Sequence, residues 1–248
     1  MIVLRSEEEI VRIKEAGKIV AETLDTLKRS AKPGMRTDEL DKIARDAIIK
    51  RGGIPAFKNY KGFPANICTS INETVVHGIP SARRLEEGDI ISIDAGVKYK
   101  DYFADAAITV PVGKIAESAG RLIRITEESL AKGIEYAKPG NRLSDISSRI
   151  QEYVESNGYS VVRAFVGHGI GTKMHEEPEI PNYGRPGRGP RLEKGMVLAI
   201  EPMVNTGTYD VEILEDGWTV VTKDRGLSAH FEHTIAIRDE GAQILTGI

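Results

Sequence analysis

Apolar residues recur at three- and four-residue steps from Ile10 to Leu27, through Ile13, Gly17, Val20 and Leu24. That spacing lays one apolar stripe along a helix. Ser6 followed by Glu9 gives a capping-box start, and Lys32-Pro33-Gly34 a stop. A second helix is predicted from about Thr37, with Leu40, Ala44, Ala47 and Ile48 inward and an end at Gly52-Gly53. A third covers about 115–136, and a fourth turns Ile146, Ile150, Tyr153 and Val154 inward before Asn157-Gly158. Between them, short β-branched runs bounded by turn residues predict strands, mostly in antiparallel hairpins. Residues 89–97 and 102–110 form one such hairpin, with a turn near Tyr99-Lys100. Two central residues in that turn would set Asp94 directly opposite Asp105. Bare carboxylates so placed repel, unless one is protonated or a cation lies between them.

The pattern repeats. Ala31-Lys32-Pro33-Gly34-Met35-Arg36 returns, with five identities in six, as Ala137-Lys138-Pro139-Gly140-Asn141-Arg142, 106 residues later. Leu85–Asp94 (LEEGDIISID) aligns with Leu192–Glu201 (LEKGMVLAIE) at an offset of 107. Val76-His77-Gly78-Ile79 also echoes Gly167-His168-Gly169-Ile170. These correspondences predict an internal duplication, with related halves at about 1–106 and 107–248 forming a single domain. They place Asp94 and Glu201 at equivalent strand ends, near a pseudo-twofold axis. The Gly-, Pro- and Arg-rich stretch 181–191 reads as a surface connection.

Composition narrows the possibilities. The 34 Lys+Arg nearly balance 37 Asp+Glu in the 248 residues, for a net charge of −3, whereas a dedicated nucleic-acid binder shows a basic excess. The lone cysteine, Cys68, excludes an intrachain disulfide framework and suits a reducing compartment. No apolar run approaches the roughly 20 residues of a membrane helix, and no signal-peptide pattern opens the chain. The expectation is a cytoplasmic protein with no membrane partner and no specific nucleic-acid partner.

Within this ordinary composition, five residues stand out: Asp94, Asp105, His168, Glu201 and Glu232. Four of them are acids set in strand-like apolar surroundings, where a carboxylate needs a partner. Asp94 follows Ile90–Ile93, and Glu201 follows Met196–Ile200. His168 lies among glycines in Gly167-His168-Gly169-Ile170-Gly171, which allow close approach. Four hard oxygen ligands and one imidazole can hold two divalent cations through shared oxygens. His230 and His233, flanking Glu232, read as structural or supporting groups.

Residues 72–80 (NETVVHGIP), Ile93-Asp94-Ala95-Gly96, Asp105, Gly167–Gly171, Glu201-Pro202-Met203 and Glu232-His233-Thr234 together resemble the methionine aminopeptidases over essentially the whole chain. The resemblance implies an α+β pita-bread fold, a curved antiparallel sheet with helices outside around a dinuclear metal site. It implies that Asp94 holds one ion through both oxygens and that Asp105 and Glu232 bridge the pair. His168 and Glu201 would complete the second ion, with Glu201 also moving the proton of the attacking water. His77 and His175 match outer histidines that contact the scissile amide. Tyr60, Phe63, Cys68, Met174 and Trp218 fall at or near the methionine side-chain pocket, with Trp218 in a turn after Gly217. Asn72 and Ser228 match residues that hold a monovalent cation in some relatives. The implied reaction removes the initiator methionine from nascent chains ahead of a small second residue. The divalent ions are drawn from Co, Mn, Fe and Zn. A monomer with transient ribosome contact belongs to the same expectation. Glu201 and Glu232 are 31 residues apart, too few for the inserted subdomain of the type II enzymes, so the pattern is that of type I. Xaa-Pro hydrolases of the same fold usually carry an additional N-terminal domain, for which 248 residues leave no room.

Overall fold

The capping box closes as the sequence predicts. The Ser6 hydroxyl accepts the Glu9 N–H at 3.2 Å, and the Glu9 carboxylate accepts the Ser6 N–H at 2.9 Å. Helix α1 then runs over Glu7–Ser30, with Ile10, Ile13, Gly17, Val20, Leu24 and Leu27 all buried. Gly17 is required in this stripe, because a β-carbon there would stand 2.3 Å from the Leu245 carbonyl oxygen. The computed structural model describes residues 1–247. After α1 come α2 (Thr37–Lys50), β1 (Ile54–Pro55), β2 (Cys68–Ile71), β3 (Thr74–Val76), β4 (Ile90–Tyr99) and β5 (Tyr102–Pro111). Helices α3 (Glu117–Ile134) and α4 (Leu143–Ser156) follow, then β6 (Ser160–Val161), β7 (Gly167–Gly169), β8 (Glu176–Ile180), β9 (Val197–Ile200) and β10 (Met203–Asn205). The chain closes with β11 (Val211–Ile213), β12 (Val220–Thr222), β13 (Ser228–His230), β14 (Glu232–Arg238) and β15 (Gly241–Ile244).

One large antiparallel sheet has the order β1-β4-β5-β14-β9-β7-β8, with β2 paired to β4 and β15 to β14. Two three-stranded sheets, β13-β10-β6 and β11-β12-β3, complete the strands. Side chains alternate faces along a strand. Ile91, Ile93, Ala95 and Val97 of β4, with Ala104, Ala106 and Val110 of β5, join the apolar core under α1 and α2. Leu198, Ile200, Ile235 and Ile237 join a second core with residues of α3 and α4. Asp94 and Asp105 occupy the opposite parity and so face away from the helices.

The β4–β5 register corrects one expectation. Tyr99 pairs with Tyr102, so the two turn residues are Lys100 and Asp101, one position later than expected. Both take left-handed φ values, 46° and 68°, as a type I′ hairpin turn demands. Asp94 therefore faces Ala107, and Asp105 faces Gly96. Shifting the turn by one residue moves every partner by two, which preserves the face.

The repeated strings adopt matching local structure. Arg36 bridges to Arg84, and Arg142 to Arg191. Leu85 N–H donates to the Met35 carbonyl and Leu192 N–H to the Asn141 carbonyl, both at 2.8 Å. Glu39 caps the Arg36 N–H at 2.9 Å, and Asp145 the Arg142 N–H at 2.7 Å. Two correspondences do not carry over. Strand β7 lies beside β9 as β2 lies beside β4, whereas Gly78 accepts the Thr69 N–H on the far edge of β2. The 76–79 string thus stands where β8 stands in the second half, and its likeness to 167–170 is one of letters. Nor are the acids at equal strand ends. Glu201 lies just past β9, ahead of Pro202, which cannot donate to a ladder, while Asp94 sits inside β4.

Candidate metal centre

Asp94 and Glu232 are both paired with Ala107, from opposite sides, and Cys68 is paired with Asp94. The sheet therefore carries one transverse row: Cys68, Asp94, Ala107, Glu232. Asp105 projects from β5 on the same face. His168 comes from β7 and Glu201 from the end of β9, which adjoins β14. Asp105, His168 and Glu232 each bring a ligand atom within 4.8 Å of the others. His168 Nε2 lies 3.7 Å from Glu201 Oε1. All five predicted ligand residues line one cavity of about 220 Å³.

These groups are almost out of water: Asp105 is 4% exposed, Glu232 2% and His168 6%. Asp94 Oδ1, Asp105 Oδ1 and Glu232 Oε1 are buried without a hydrogen-bond partner. A buried carboxylate oxygen left bare is costly, so proton affinity rises. Burial, followed by the neighbouring carboxylates, pushes Asp94, Glu201 and Glu232 well above the usual carboxylate range. Burial also raises Asp105, to about 7. His168 goes the other way, lowered by burial, and is neutral at pH 7. Its Nδ1 lies 2.9 Å from the Gly169 carbonyl oxygen. A carbonyl can only accept, so Nδ1 carries the proton and Nε2 keeps its lone pair, aimed toward Glu201. Crowded acids, orphaned oxygens and one imidazole with a free lone pair form a donor set that fits divalent cations of the Mn²⁺, Fe²⁺, Co²⁺ or Zn²⁺ kind.

The rest of the cavity is partly as expected. His77, His175, Tyr60, Phe63, Cys68 and Trp218 all line it. His175 Nδ1 lies 2.9 Å from the Tyr60 hydroxyl, and the two rings stack 5.2 Å apart. Loss of solvation, then the His168, Lys61 and His77 charges, push His175 down to about 3. His77 is lowered by burial and packs edge-on against Phe165 and Trp218. Met174 does not reach the cavity. It is 1% exposed and packs over Gly96 on the cavity face of the sheet, where a β-carbon on Gly96 would stand 2.8 Å from the Met174 Cε and 2.7 Å from the Phe57 ring. Asn72 and Ser228 meet through the backbone, Ser228 N–H to Asn72 carbonyl at 2.8 Å. The Asn72 side chain is engaged with Asp89 and the Ile90 N–H.

Two cavity neighbours, Phe57 and Lys61, escaped the sequence reading. His230, read there as structural or supporting, has its Nε2 buried and unpartnered 3.9 Å from Glu201 Oε2. His233, on the strand face opposite Glu232, contacts Thr246 through Nδ1 at 2.9 Å.

The sequence pattern of metallopeptidase family M24 matches residues 11–239. The chain belongs to metallopeptidase family M24. Among M24 relatives, it is 60% identical over 247 residues to a methionine aminopeptidase of Clostridium acetobutylicum, covering 99% of each chain. It is 55% identical to methionine aminopeptidase 1 of Bacillus subtilis, covering 100% of both. The crystal structure of a methionine aminopeptidase from Thermotoga maritima superposes with a TM-score of 0.99 at 47% identity, covering 100% of both chains. The fold is accordingly the pita-bread architecture of that M24 structure, with the carboxylate cluster at its centre.

Proposed function

We infer that this M24 metallopeptidase is a methionine aminopeptidase, which hydrolyses the first peptide bond of chains that begin with methionine. The observation that carries the reading is the carboxylate row. Four acids and His168 converge in a cavity whose other lining is aromatic and sulfur-bearing, with an oxygen of Asp94, Asp105 and Glu232 each left without a hydrogen-bond partner. Asp94, Asp105, His168, Glu201 and Glu232 would hold two divalent cations, with Asp105 and Glu232 central to both. Bound there, the cations would supply Lewis acidity, lowering the pKa of a water and polarising the scissile carbonyl.

The protein groups account for the remaining work. Glu201 sits between His168 and His230, in surroundings that raise its proton affinity, so it can take a proton from the attacking water and return it to the leaving amine. His77 and His175 are neutral at pH 7. Each can donate one hydrogen bond toward the scissile amide, where negative charge develops. The methionine side chain fits between Phe63, Trp218 and Cys68, whose polarisable surfaces suit a thioether. A cavity closed at the acidic end admits only the first residue of a chain. Its free amine is cationic or a ligand and so matches the carboxylates. The natural substrates on this reading are newly made chains in the cytoplasm, and the two halves descend from one duplicated unit.

The test compares Met-Ala-Ser with Ala-Ala-Ser on protein of measured metal content. Release of Met, with little or no release of Ala, is the expected result. Equal cleavage of both, or none with metal restored, would remove the assignment.

A further inference from the structure

Arg5 lies ahead of α1, far in sequence from the cavity, yet its guanidinium is buried at 6% exposure. Its Nη2 donates to both carboxylate oxygens of Glu176, at 2.7 and 2.6 Å, and the Glu176 side chain is 11% exposed. Glu176 directly follows His175 in the chain. The same Glu176 oxygen accepts the Lys173 N–H at 2.9 Å and the Thr172 hydroxyl at 3.2 Å. One carboxylate thus gathers the whole turn 171–176. Gly171 completes the fit, because a β-carbon there would stand 2.4 Å from the Arg5 guanidinium. Arg5 is itself anchored. Its N–H donates to the Gly195 carbonyl at 2.7 Å, and its Nη1 to Glu9 at 3.2 Å. Glu9 also accepts the Tyr102 hydroxyl at 3.2 Å.

We propose that Arg5 is a positioning residue: through Glu176 it fixes the turn that presents His175 to the substrate. The proposal rests on the reading of His175 as a group that contacts the scissile amide. The His175 ring contacts the Tyr60 hydroxyl at 2.9 Å and packs against the His168 ring, centroids 4.1 Å apart, and neither contact holds its backbone. A paired buried guanidinium and carboxylate supply a rigid, bidentate hold. Removing Arg5 leaves Glu176 as an unpaired, nearly buried charge, which draws the turn toward water and carries His175 with it.

The test uses the metal-loaded enzyme and the variants Arg5→Ala, Arg5→Lys, Glu176→Gln, His175→Ala and the double variant Arg5→Ala/His175→Ala. Metal content, Tm, kcat and KM for Met-Ala-Ser are measured for each. Arg5→Ala is expected to lower kcat about 10-fold or more, as small misplacements do, with metal content unchanged. Arg5→Lys and Glu176→Gln, which keep the packing, should fall between. In the His175→Ala background, Arg5→Ala should cost less than about twofold further, because the two losses share one cause. The ring resonances of His175 should move in Arg5→Ala and stay in place in Arg29→Ala, which alters an exposed arginine. Independent, multiplying losses would overturn the proposal, as would a lowered Tm with kcat and the His175 resonances unmoved. A fully active His175→Ala would instead overturn the reading of His175 itself.

Discussion

Asp94 and Glu232 face the same residue, Ala107, from its two sides. Their backbones therefore stand two strand spacings apart, with Asp105 on the strand between them and on the same face. On the proposed reading Asp105 and Glu232 both serve the two ions, and Asp105 stands on the middle strand. Asp105→Ala should abolish binding of two Mn²⁺ and turnover of Met-Ala-Ser together, read by metal analysis and product release on one sample. An Asp105→Ala protein that kept two ions and full rate would deny it the central place.

Glu201 has two proposed roles, cation ligand and proton carrier, and one substitution separates them. Glu201→Gln retains an oxygen donor but cannot take a proton. Its affinity for Mn²⁺ should fall modestly, while kcat falls about 100-fold or more, as for other lost acid–base groups. An unchanged kcat would transfer the proton to another group, with His230 the nearest candidate at 3.9 Å from Glu201.

The pH dependence of metal binding has a defined sign. Asp105 titrates near 7 in the cation-free fold, and Asp94, Glu201 and Glu232 are raised in the same direction. The folded protein thus holds protons on these acids at pH values where the unfolded chain, titrating near 4, has released them. This contribution to stability falls as pH rises from about 4 through about 7. The depressed histidines, His175 and His230 at about 3 and His233 at about 4, contribute oppositely, with stability lost as pH falls below about 6.5. The increase in Tm on adding Mn²⁺ isolates the carboxylates, since those histidines count equally with and without metal. That increase should be larger at pH 7 than at pH 5.5, and binding should release protons. An increase no larger at pH 7 than at pH 5.5 would contradict this, because acids already ionised in the cation-free fold have no protons to displace.

The aromatic wall should govern binding more than rate. Phe63 packs edge-on against Trp218 at 5.2 Å and against Phe57 at 6.5 Å. Phe63→Ala removes contact with the methionine side chain in ground and transition states alike, so KM for Met-Ala-Ser should rise about 10-fold with kcat within about twofold. A kcat loss at constant KM would place Phe63 in the reaction rather than the pocket.

The helices were legible because their signals are local: the Ser6–Glu9 box and the Ile10–Leu27 stripe each need only nearby residues. The face of Asp94 and Asp105 was legible too, since an error of one turn residue shifts partners by two and preserves parity. The register itself was not, because it depends on which residues accept left-handed φ, and Lys100 and Asp101 do so without a glycine to mark them. Met174 could not be placed from its type. A thioether suits a pocket wall and the apolar packing around it equally, and only the contact of Met174 with Gly96, near Phe57, decides. The supporting place of His230 was legible beside Glu232, but its nearness to Glu201 was not, since that joins two strands distant in sequence. Arg5 left no sequence signal at all, since its partner Glu176 lies 171 residues away.

The most direct measurement strips the protein with a chelator and titrates Mn²⁺ or Co²⁺ back, following bound metal and methionine release from Met-Ala-Ser on the same sample. Activity should be absent in the stripped protein and return with the added ion, and Asp105→Ala should recover neither binding of two ions nor turnover. Full activity in protein shown to be metal-free, or no activity at full metal occupancy, would contradict the account.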